Sequence, residues 1–579
     1  MSAQTLASLP CILRRPADAA PLLVDHRGPV DAAGFEARVR HSVAWLRGQG
    51  IGPGDRVGVW LVNRIEWLAL LFALARIGAT LVAINTRYRS SELAYILERS
   101  GARLLLMQLD FRGIDFPGVL AGVDAGRVPA LERIAIVDPG AGTPARLLDR
   151  PTLTFDAFDV AGRARRPRDP TESAESAGTG LDDHGDPDAV TVLFTTSGTT
   201  RGPKLVMHTQ RSLATHAVHV ARAHGFDAAG AGLVGALPLC GTFGLTAVLA
   251  AMAGGAPTVL LEAIDAPRIA TLLREQALTH LYGSDEMYRR LRDIAPGTHP
   301  FPAARIFGYA AFQPGSAGFA RASWDDGVPI LGLYGSSEVQ ALFSIQQPEG
   351  TPDERAEGGG YPAAPDAEVR VRDVETGQLV APGVVGEIEI RAPGNFVGYL
   401  DDPEATAAAI DVDGFFRSGD LGRLREDGSF VYLTRSGDAI RLGGFLVNPA
   451  EIEDTLGALD GVADAAVIAI EIEGQLRCVA FVEPEPGAEL DEAGLVAAAR
   501  QRMAGFKVPA RIWFLDALPT TASANGAKVQ RAKLREMALE RLAASPGPRQ
   551  AFRATKTNVD SIDARPGGQL RCKPKKFIE

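Results

Sequence analysis

The sequence of 579 residues is poor in cysteine and has no excess of basic side chains. Its four cysteines, Cys11, Cys240, Cys478 and Cys572, lie far apart, and none forms a C-x-x-C pair. This spacing argues against a zinc site or a redox pair and fits a reduced, cytoplasmic protein. The formal net charge of −10 argues against a nucleic-acid-binding protein, whose surface would carry a basic excess.

Charged side chains are also missing from residues 230–261, a stretch long enough to span a bilayer. Pro238, Pro257 and clustered glycines interrupt it. These breaks favour a strand, a loop, a buried helix and a second strand, so no transmembrane segment is expected. Near the N-terminus, Pro10 and Arg14 interrupt the apolar residues, so no signal peptide is expected either.

A loop rich in hydroxyl residues and glycine follows the apolar run 189–194. Glycine lets the backbone approach an anion closely, and exposed N–H groups and hydroxyls donate to it. The pattern predicts a polyphosphate site, with a surface turn as the alternative, and it differs from a P-loop because Pro203 stands where that motif has glycine. The candidate phosphate-binding residues are Thr196, Ser197, Gly198, Thr199, Thr200, Gly202 and Lys204.

Further motifs follow this loop in a fixed order. They are Tyr334-Gly335-Ser336-Ser337-Glu338, Ser418-Gly419-Asp420, Arg435, Gly443-Gly444-Phe445 and Lys528-Val529-Gln530-Arg531. Over roughly residues 20–540, their order and spacing resemble the adenylate-forming (AMP-binding) superfamily, in particular its acyl-CoA synthetases. Adenylation domains of peptide synthetases and luciferases belong to the same superfamily.

The resemblance implies an α/β fold with two domains. A large N-terminal domain, residues 1–434, would contain two layered α/β sheet subdomains and a small β-barrel-like unit. A small mobile α+β domain, residues 435–544, would follow it as a lid, with a hinge near Gly437. The composition of residues 139–187 predicts a long loop, and that of 545–579 predicts a disordered tail.

The resemblance also implies a reaction in two steps, acyl-adenylate formation with release of pyrophosphate and then acyl transfer to coenzyme A with release of AMP. ATP, Mg²⁺ and coenzyme A are the implied cofactors and co-substrates, beside a small carboxylic acid. Lys204 would bind the β- and γ-phosphates, Glu338 would hold Mg²⁺, and Lys528 would bridge the carboxylate and the α-phosphate. These three residues are the candidate catalytic groups.

The nucleotide and acceptor sites follow from the same resemblance. Tyr334 would lay its ring against adenine, although core packing of Tyr334 is compatible with that role, and Gly335 and Ser336 would contact adenine or ribose. Asp420 would accept from the ribose hydroxyls, and Arg435 would contact ribose or phosphate. The loop Gly443, Gly444 and Phe445 would face coenzyme A after the lid rotates. Cys240, Gly241 and Thr242 would line the acyl pocket.

Three departures from the family pattern leave alternatives open. Arg201 stands where glycine is usual, Cys240 and Gly241 replace an aromatic residue and a histidine, and three extra residues precede Lys528. An enzyme that loads an acyl carrier protein, a luciferase-like oxygenase and a catalytically weak ATP-binding homologue are the alternatives. The sequence leaves the identity of the acid and a homodimeric assembly open.

Overall fold

The computed structural model describes residues 8–13, 21–139, 143–156, 185–196, 203–310, 316–436, 440–442, 445–472, 475–503, 505, 507–523 and 526–544. Several residues that the sequence assigns to function lie outside these ranges. They are Ser197, Gly198, Thr199, Thr200, Gly202, Gly437, Gly443, Gly444 and the tail 545–579.

Strands and helices alternate through the first part of the chain, as the sequence predicts. Short 3-10 helices cover Leu9–Leu13 and Ala125–Arg127. The other elements are β1 Leu23–Asp25, β2 Gly28–Val30, α1 Ala32–Gly48, β3 Arg56–Trp60, α2 Ile65–Arg76, β4 Thr80–Ala83, α3 Ser90–Ser100, β5 Leu104–Met107, β6 Asp110–Phe111, β7 Ile114–Asp115, α4 Phe116–Ala121, β8 Arg133–Val137, β9 Arg146–Leu147 and β10 Arg150–Phe155.

The same alternation resumes after residue 185 and then gives way to strands. The elements are β11 Val190–Thr195, β12 Leu205–Thr209, α5 Gln210–Ala223, β13 Leu233–Gly235, α6 Thr242–Gly254, β14 Thr258–Leu260, α7 Ala266–Glu275, β15 His280–Ser284, α8 Asp285–Ile294, β16 Ile306–Ala310, α9 Ser316–Asp325, β17 Ile330–Ser336, β18 Gln340–Ile345, α10 Pro352–Ala356, β19 Gly358–Pro362, β20 Glu368–Arg372, β21 Gly386–Arg391, β22 Gly398–Tyr399, α11 Pro403–Ala409, β23 Phe416–Leu424 and β24 Phe430–Arg435.

Two large sheets organise these elements. One has the strand order β2-β1-β14-β13-β15-β16-β17-β18-β19-β24-β23-β21-β20, and the other has the order β22-β12-β11-β4-β3-β5-β8-β10-β9. The first is parallel from β13 to β17 and antiparallel from β18 onward, so the predicted small antiparallel unit continues this sheet. The mixture of parallel strands and crossover helices confirms the α/β fold.

Helix α2 lies in the largest hydrophobic core, and every one of its residues is buried. Its sequence is apolar all round, which is typical of a helix without a solvent face. Glu66 and Arg76 are the exceptions, and the Glu66 carboxylate pairs with Arg27 at 2.9 Å and with Arg64 at 3.5 Å. Burial nevertheless raises the pKa of Glu66 to about 7.

Helix α6 and its flanking strands β13 and β14 account for the uncharged stretch 230–261, as predicted. Nearly all of its residues are buried in the same core as α2. Gly244 is required there, because a Cβ atom would lie 2.3 Å from the Pro238 carbonyl oxygen and 2.5 Å from that of Leu237. Among the described residues, no helix has both the length and the apolar character that crossing a membrane requires.

The prediction of a loop over residues 139–187 is wrong for residues 146–155. Strands β9 and β10 lie there, and Thr152–Phe155 pairs in parallel with Ile134–Val137 of β8. Within β10 only Phe155 is buried, so the strand lacks the apolar alternation that identifies strands in a sequence. Pairing with β8 forms this strand, and its own composition does not indicate it.

The small C-terminal part contains β25 Ile440–Leu442, β26 Phe445–Val447, α12 Pro449–Gly457, β27 Val462–Ile472, β28 Gln475–Pro484, α13 Glu492–Arg502, β29 Ile512–Phe514, β30 Thr520–Ser523, β31 Gly526–Val529 and α14 Arg531–Ala544. Strand β27 is buried on both faces. Its alternate residues join two hydrophobic clusters, one with α12 and α13 and the other with α14, and both clusters contain only residues beyond 439. This part is therefore α+β with a core of its own.

Candidate active site

The predicted phosphate-binding loop connects two strands of one antiparallel hairpin, β11 and β12. At its base, the Thr196 N–H donates to the Lys204 carbonyl oxygen at 3.0 Å, and the Lys204 N–H donates to Thr196 Oγ1 at 3.1 Å. Tyr88 Oη lies 2.7 Å from Thr195 Oγ1, and Tyr95 Oη donates to the Pro203 carbonyl oxygen at 3.1 Å. The structure thus brings Thr196 and Lys204 together and fixes both ends of the loop.

Lys204 and Glu338 both contact one tyrosine, Tyr399. Antiparallel pairing of β12 with β22 places Tyr399 opposite Val206. The Lys204 Nζ atom lies 4.3 Å from the centroid of the Tyr399 ring, which is a cation–π distance. Tyr399 Oη donates to Glu338 Oε1 at 3.0 Å. Burial and the neighbouring Glu338 raise the pKa of Tyr399, so its hydroxyl keeps its proton and acts as the donor.

Glu338 lies in the tight turn between β17 and β18, residues 336–340, which we call the Glu338 turn. Ser336 Oγ accepts from the Glu338 N–H at 3.2 Å and from the Val339 N–H at 3.4 Å. Gly335 precedes the turn at an irregularity in the ladder, where a Cβ atom would lie 2.6 Å from Ala341 Cα and from the Gln340 carbonyl oxygen. The turn is therefore accessible only to glycine at position 335.

Asp420 is held between Tyr334 and Arg435. Tyr334 Oη donates to Asp420 Oδ2 at 2.5 Å, and Arg435 Nε lies 2.9 Å from Oδ1. Arg435 is the ladder partner of Asp420 across β23 and β24. Asp420 is 3% exposed, and burial raises the pKa of its carboxyl group, while Arg435 acts in the opposite direction.

The remaining acceptor capacity of Asp420 fits a ribose. Arg435 Nε is within ion-pair distance of Oδ1, but Oδ1 accepts no aligned hydrogen bond from the described part of the chain. A diol can donate to such a carboxylate. The Tyr334 ring packs against Phe430 at 5.4 Å and Tyr432 at 5.5 Å between centroids, which is the core-packing interpretation. Its stacking on adenine stays a prediction.

The Glu338 carboxylate is a suitable protein ligand for a magnesium ion whose other ligands are phosphate oxygens and water. Within the ranges that the structure describes, no group of three His, Cys, Asp or Glu residues could hold a metal ion. Mg²⁺ keeps several waters and takes one or two carboxylates beside phosphate oxygens, so a single glutamate next to a phosphate-binding lysine is sufficient. Glu338 is partly exposed and its Oε1 atom has one donor, Tyr399, among those residues.

Cys240, Gly241 and Thr242 lie together at the start of α6. Gly241 is the residue before the helix, and a Cβ atom there would meet nothing closer than the Pro238 carbonyl oxygen at 3.7 Å. Burial raises the pKa of the Cys240 thiol to about 11, so it is not a thiolate nucleophile at neutral pH. The sequence reasoning missed Asn63, whose side chain donates to the Leu237 carbonyl oxygen at 2.7 Å and accepts from the Leu239 N–H at 2.8 Å.

The C-terminal candidates lie on two hairpins. Lys528 is in β31 and pairs with Thr521 of β30, and this hairpin approaches α8. Phe445 is in β26 and pairs with Leu442. Ser284 caps α8 by accepting from the Met287 N–H at 3.3 Å.

Tyr399 and His208 are further residues that the sequence reasoning did not select. Tyr399 follows Gly398, whose φ of +146° allows the chain to enter β22. In the sequence, the glycine–aromatic pair Gly398-Tyr399 was the feature that could have indicated this position. His208 is buried in β12, four residues after Lys204, and contacts the Ser337 carbonyl oxygen at 2.7 Å.

Comparison with known proteins gives two family matches. The family described as AMP-binding enzyme matches residues 15–400, and AMP-binding enzyme C-terminal domain matches residues 451–525. The 3-[(3aS,4S,7aS)-7a-methyl-1,5-dioxo-octahydro-1H-inden-4-yl]propanoyl:CoA ligase of Mycobacterium tuberculosis is 31% identical over 511 residues, which are 86% of this chain and 91% of that protein. The 2-succinylbenzoate–CoA ligase of Geobacillus kaustophilus is 31% identical over 481 residues, which are 82% and 86%. ATP-bound MatB from Rhodopseudomonas palustris superposes with a TM-score of 0.75 at 26% identity, covering 93% of this chain and 99% of MatB.

Proposed function

This chain belongs to the AMP-binding enzyme family and is an ATP-dependent acyl-CoA ligase, and we propose that Lys204, Tyr399, Glu338 and Asp420 form its nucleotide-binding and adenylation site. The observation that carries the assignment is the shared contact of Lys204 and Glu338 with Tyr399. A phosphate-binding cation and a metal-binding carboxylate must lie close together to bind one triphosphate.

The first half-reaction joins two anions, the carboxylate and the α-phosphate of ATP. Lys204 would bind the β- and γ-phosphates, and Asp420 would orient the ribose through Oδ1, the carboxylate oxygen that accepts no aligned hydrogen bond from the described residues. Mg²⁺, when bound, supplies positive charge that offsets the triphosphate. Lys528 would bridge the carboxylate and the α-phosphate, opposing the charge that accumulates in the transition state. Positioning and electrostatic stabilisation supply the catalysis.

The second half-reaction would need a rotation of the C-terminal part, residues 435–544, about Gly437. The separate hydrophobic clusters beyond residue 439 support this proposal, because a unit with its own core can move as a body. Rotation would withdraw Lys528 and present the loop of Gly443, Gly444 and Phe445 to coenzyme A. A domain rearrangement of this kind gates many enzymes.

The substrate class that we propose is a carboxylic acid carrying a ring system. The names of the two ligases above specify an indenyl propanoyl group and a succinylbenzoate. In this chain, Cys240 and Gly241 replace the aromatic residue and the histidine of the family pattern, and a Cβ atom at Gly241 would meet its nearest neighbour, the Pro238 carbonyl oxygen, at van der Waals distance, 3.7 Å. An enlarged pocket at the start of α6 would admit a ring where a larger side chain would exclude it.

We further propose a cytoplasmic location, where ATP and coenzyme A are supplied. The described cysteines Cys11, Cys240 and Cys478 are free thiols, which fits a reducing compartment. A homodimer remains a prediction that light scattering on purified protein would check.

Pyrophosphate release with a panel of benzoic, arylpropanoic, alicyclic and straight-chain acids tests the proposal. Release with ring acids, followed by coenzyme A consumption, is expected, and Glu338→Gln should abolish both. Pyrophosphate release without coenzyme A consumption would instead favour loading of a carrier protein. Release with straight-chain acids alone would contradict the substrate class but leave the ligase assignment intact.

A further inference from the structure

Two buried histidines from neighbouring elements contact the segment that carries Glu338. His208 of β12 has its Nε2 atom 2.7 Å from the Ser337 carbonyl oxygen, and His216 of α5 has its Nε2 atom 2.8 Å from the Ala341 carbonyl oxygen. Both side chains are buried, with exposed fractions of 0% and 3%. The two contacts therefore lie on either side of Glu338 in the chain, one residue before it and three after it.

The direction of both hydrogen bonds follows from their acceptors. A carbonyl oxygen only accepts, so Nε2 carries the hydrogen in each ring. Burial lowers the pKa of both histidines to about 4, so each ring is neutral at physiological pH and has one N–H to donate. The Nδ1 atom of His208 then faces Ser212 Oγ at 3.4 Å. Each histidine therefore donates its only ring N–H to a carbonyl oxygen of this segment.

The segment needs such support because its backbone is unfavourable in isolation. Gln340 has a φ of +63° and Leu342 a φ of +59°, in the left-handed region that residues with a side chain rarely adopt. Such conformations persist where the surroundings determine them, often at functional sites. The Gln340 side chain adds two contacts, donating to the Ser212 carbonyl oxygen at 3.1 Å and to the Gly394 carbonyl oxygen at 2.9 Å.

Strand β12 links this support to the phosphate-binding residues. Lys204 immediately precedes the first residue of β12, and His208 lies near the end of this strand. The partner strand β22 carries Tyr399. The Phe396 N–H, near the start of the segment leading into β22, donates to the Glu338 carbonyl oxygen at 2.7 Å. The backbone around Glu338 is therefore fixed relative to the same strand that fixes Lys204.

We propose that His208 and His216 are positioning residues of the ligase reaction, which hold the Glu338 turn so that its carboxylate stays beside Tyr399 and Lys204. This inference rests on the proposed role of Glu338 in binding Mg²⁺. Neither histidine touches the nucleotide or the reacting atoms; each acts through a backbone carbonyl group. Groups that orient a metal ligand in this way typically change metal affinity or activity by about 10- to 100-fold when they are removed.

His280 provides a matched control. It is also buried, its pKa is also lowered to about 4, and its Nε2 atom donates to a carbonyl oxygen, that of His224, at 2.8 Å. That contact lies at the first residue of β15, outside the Glu338 turn. Replacing His280 therefore removes a comparable hydrogen bond without altering the support of Glu338.

The test measures Mn²⁺ binding by electron paramagnetic resonance on the full chain with a non-reactive α,β-methylene analogue of ATP, and the Mg²⁺ dependence of ATP–pyrophosphate exchange. His208→Ala should weaken Mn²⁺ binding and raise the half-saturating Mg²⁺ concentration by about tenfold or more. His208→Gln, which keeps a donor, should recover most of both, and His216→Ala should show a smaller effect in the same direction. His280→Ala should lower the melting temperature but leave the metal dependence unchanged.

Two outcomes would overturn the inference. One is a His208→Ala variant that binds Mn²⁺ as tightly as the unaltered protein does. The other is a His280→Ala variant that loses as much Mn²⁺ affinity as His208→Ala does. Glu338→Gln separates this inference from the proposed function: if that variant binds Mn²⁺ normally, the role of Glu338 is wrong. If Glu338→Gln loses Mn²⁺ while His208→Ala retains it, only the positioning role fails.

Discussion

Tyr399 donates its hydroxyl hydrogen to Glu338 Oε1 at 3.0 Å while its ring lies under the Lys204 ammonium group. The contact orients the glutamate carboxylate. One tyrosine thus sets the relative positions of a cation and an anion that must act on the same triphosphate. Three elements that are distant in sequence, the β11–β12 hairpin, the Glu338 turn and β22, meet at this side chain.

Tyr399→Phe removes the hydroxyl group and keeps the ring. We expect a drop of about tenfold in the rate of ATP–pyrophosphate exchange, because the Glu338 carboxylate loses the donor that orients it. The ring contact with Lys204 should survive, so the Michaelis constant for ATP should change less than kcat. Steady-state exchange kinetics at saturating Mg²⁺ measure both constants.

Tyr361→Phe is the control for that substitution. Tyr361 Oη also donates to a carboxylate, Asp427 Oδ2, at 2.6 Å, but the pair is exposed and lies outside the candidate site. Its removal should leave exchange unchanged. Equal rates in Tyr399→Phe and the unaltered protein would show that Glu338 does not depend on Tyr399.

Gly335→Ala should disrupt the Glu338 turn. The added Cβ atom would lie 2.6 Å from two backbone atoms, which cannot move aside as a flexible side chain can. Forcing atoms into such a site typically costs about 1–3 kcal/mol. We therefore expect a lower free energy of unfolding in urea together with a loss of exchange activity. Gly48→Ala, where no atom lies within 4 Å, should alter neither quantity appreciably.

Stability should fall as the pH is lowered from about 6.5 towards 4. Burial lowers the pKa of five histidines below the usual 6.5. The pKa is about 4 in His208, His216 and His280 and about 3 in His224, and it is also lowered in His219. In that pH window the unfolded chain binds more protons than the native protein, and each histidine contributes a slope of about 1.4 kcal/mol per pH unit. Above pH 6.5 these histidines are neutral in both the native and the unfolded state, so they no longer change the stability with pH.

Three acids oppose this trend. Burial raises the pKa of Glu66 to about 7 and that of Asp464 to about 6, and it also raises the pKa of Asp420, so the native protein takes up these protons before the unfolded chain does. The histidines outnumber these acids, so a net loss of stability is expected below pH 6. Urea unfolding at pH 7.5 and 5.5 measures the difference. A midpoint that rises on acidification would contradict the assigned burial of the histidines.

Much of the fold follows from the sequence, because its signals are local. The uncharged stretch around α6 folds as its proline and glycine breaks predict. Strand β10 was missed because only Phe155 is buried and the strand forms through its pairing with β8. Non-local pairing leaves little trace in composition.

The candidate site likewise contains residues that the sequence predicts and residues that it does not. Thr196, Lys204, Glu338, Asp420 and Arg435 stand in motifs with distinctive spacing, and the structure brings Lys204 close to Glu338 and Asp420 close to Arg435. The groups that hold them were not predictable. Tyr399, His208 and Asn63 act through contacts between segments separated by more than 60 residues, and a buried histidine or tyrosine is more often part of an ordinary core.

Lys528 separates the two half-reactions, and its replacement tests the largest departure from the family pattern, the three extra residues before it. Its strand β31 approaches α8. We expect Lys528→Ala to reduce ATP–pyrophosphate exchange by about 10²- to 10³-fold, the typical loss when a group that stabilises transition-state charge is removed. Thioester formation from supplied acyl-adenylate should persist, because that step no longer joins two anions. Lys533→Ala, in the first turn of α14, is the control for an altered charge nearby. Normal exchange in Lys528→Ala would assign the bridging role to another residue, and equal loss in both half-reactions would indicate a structural defect instead.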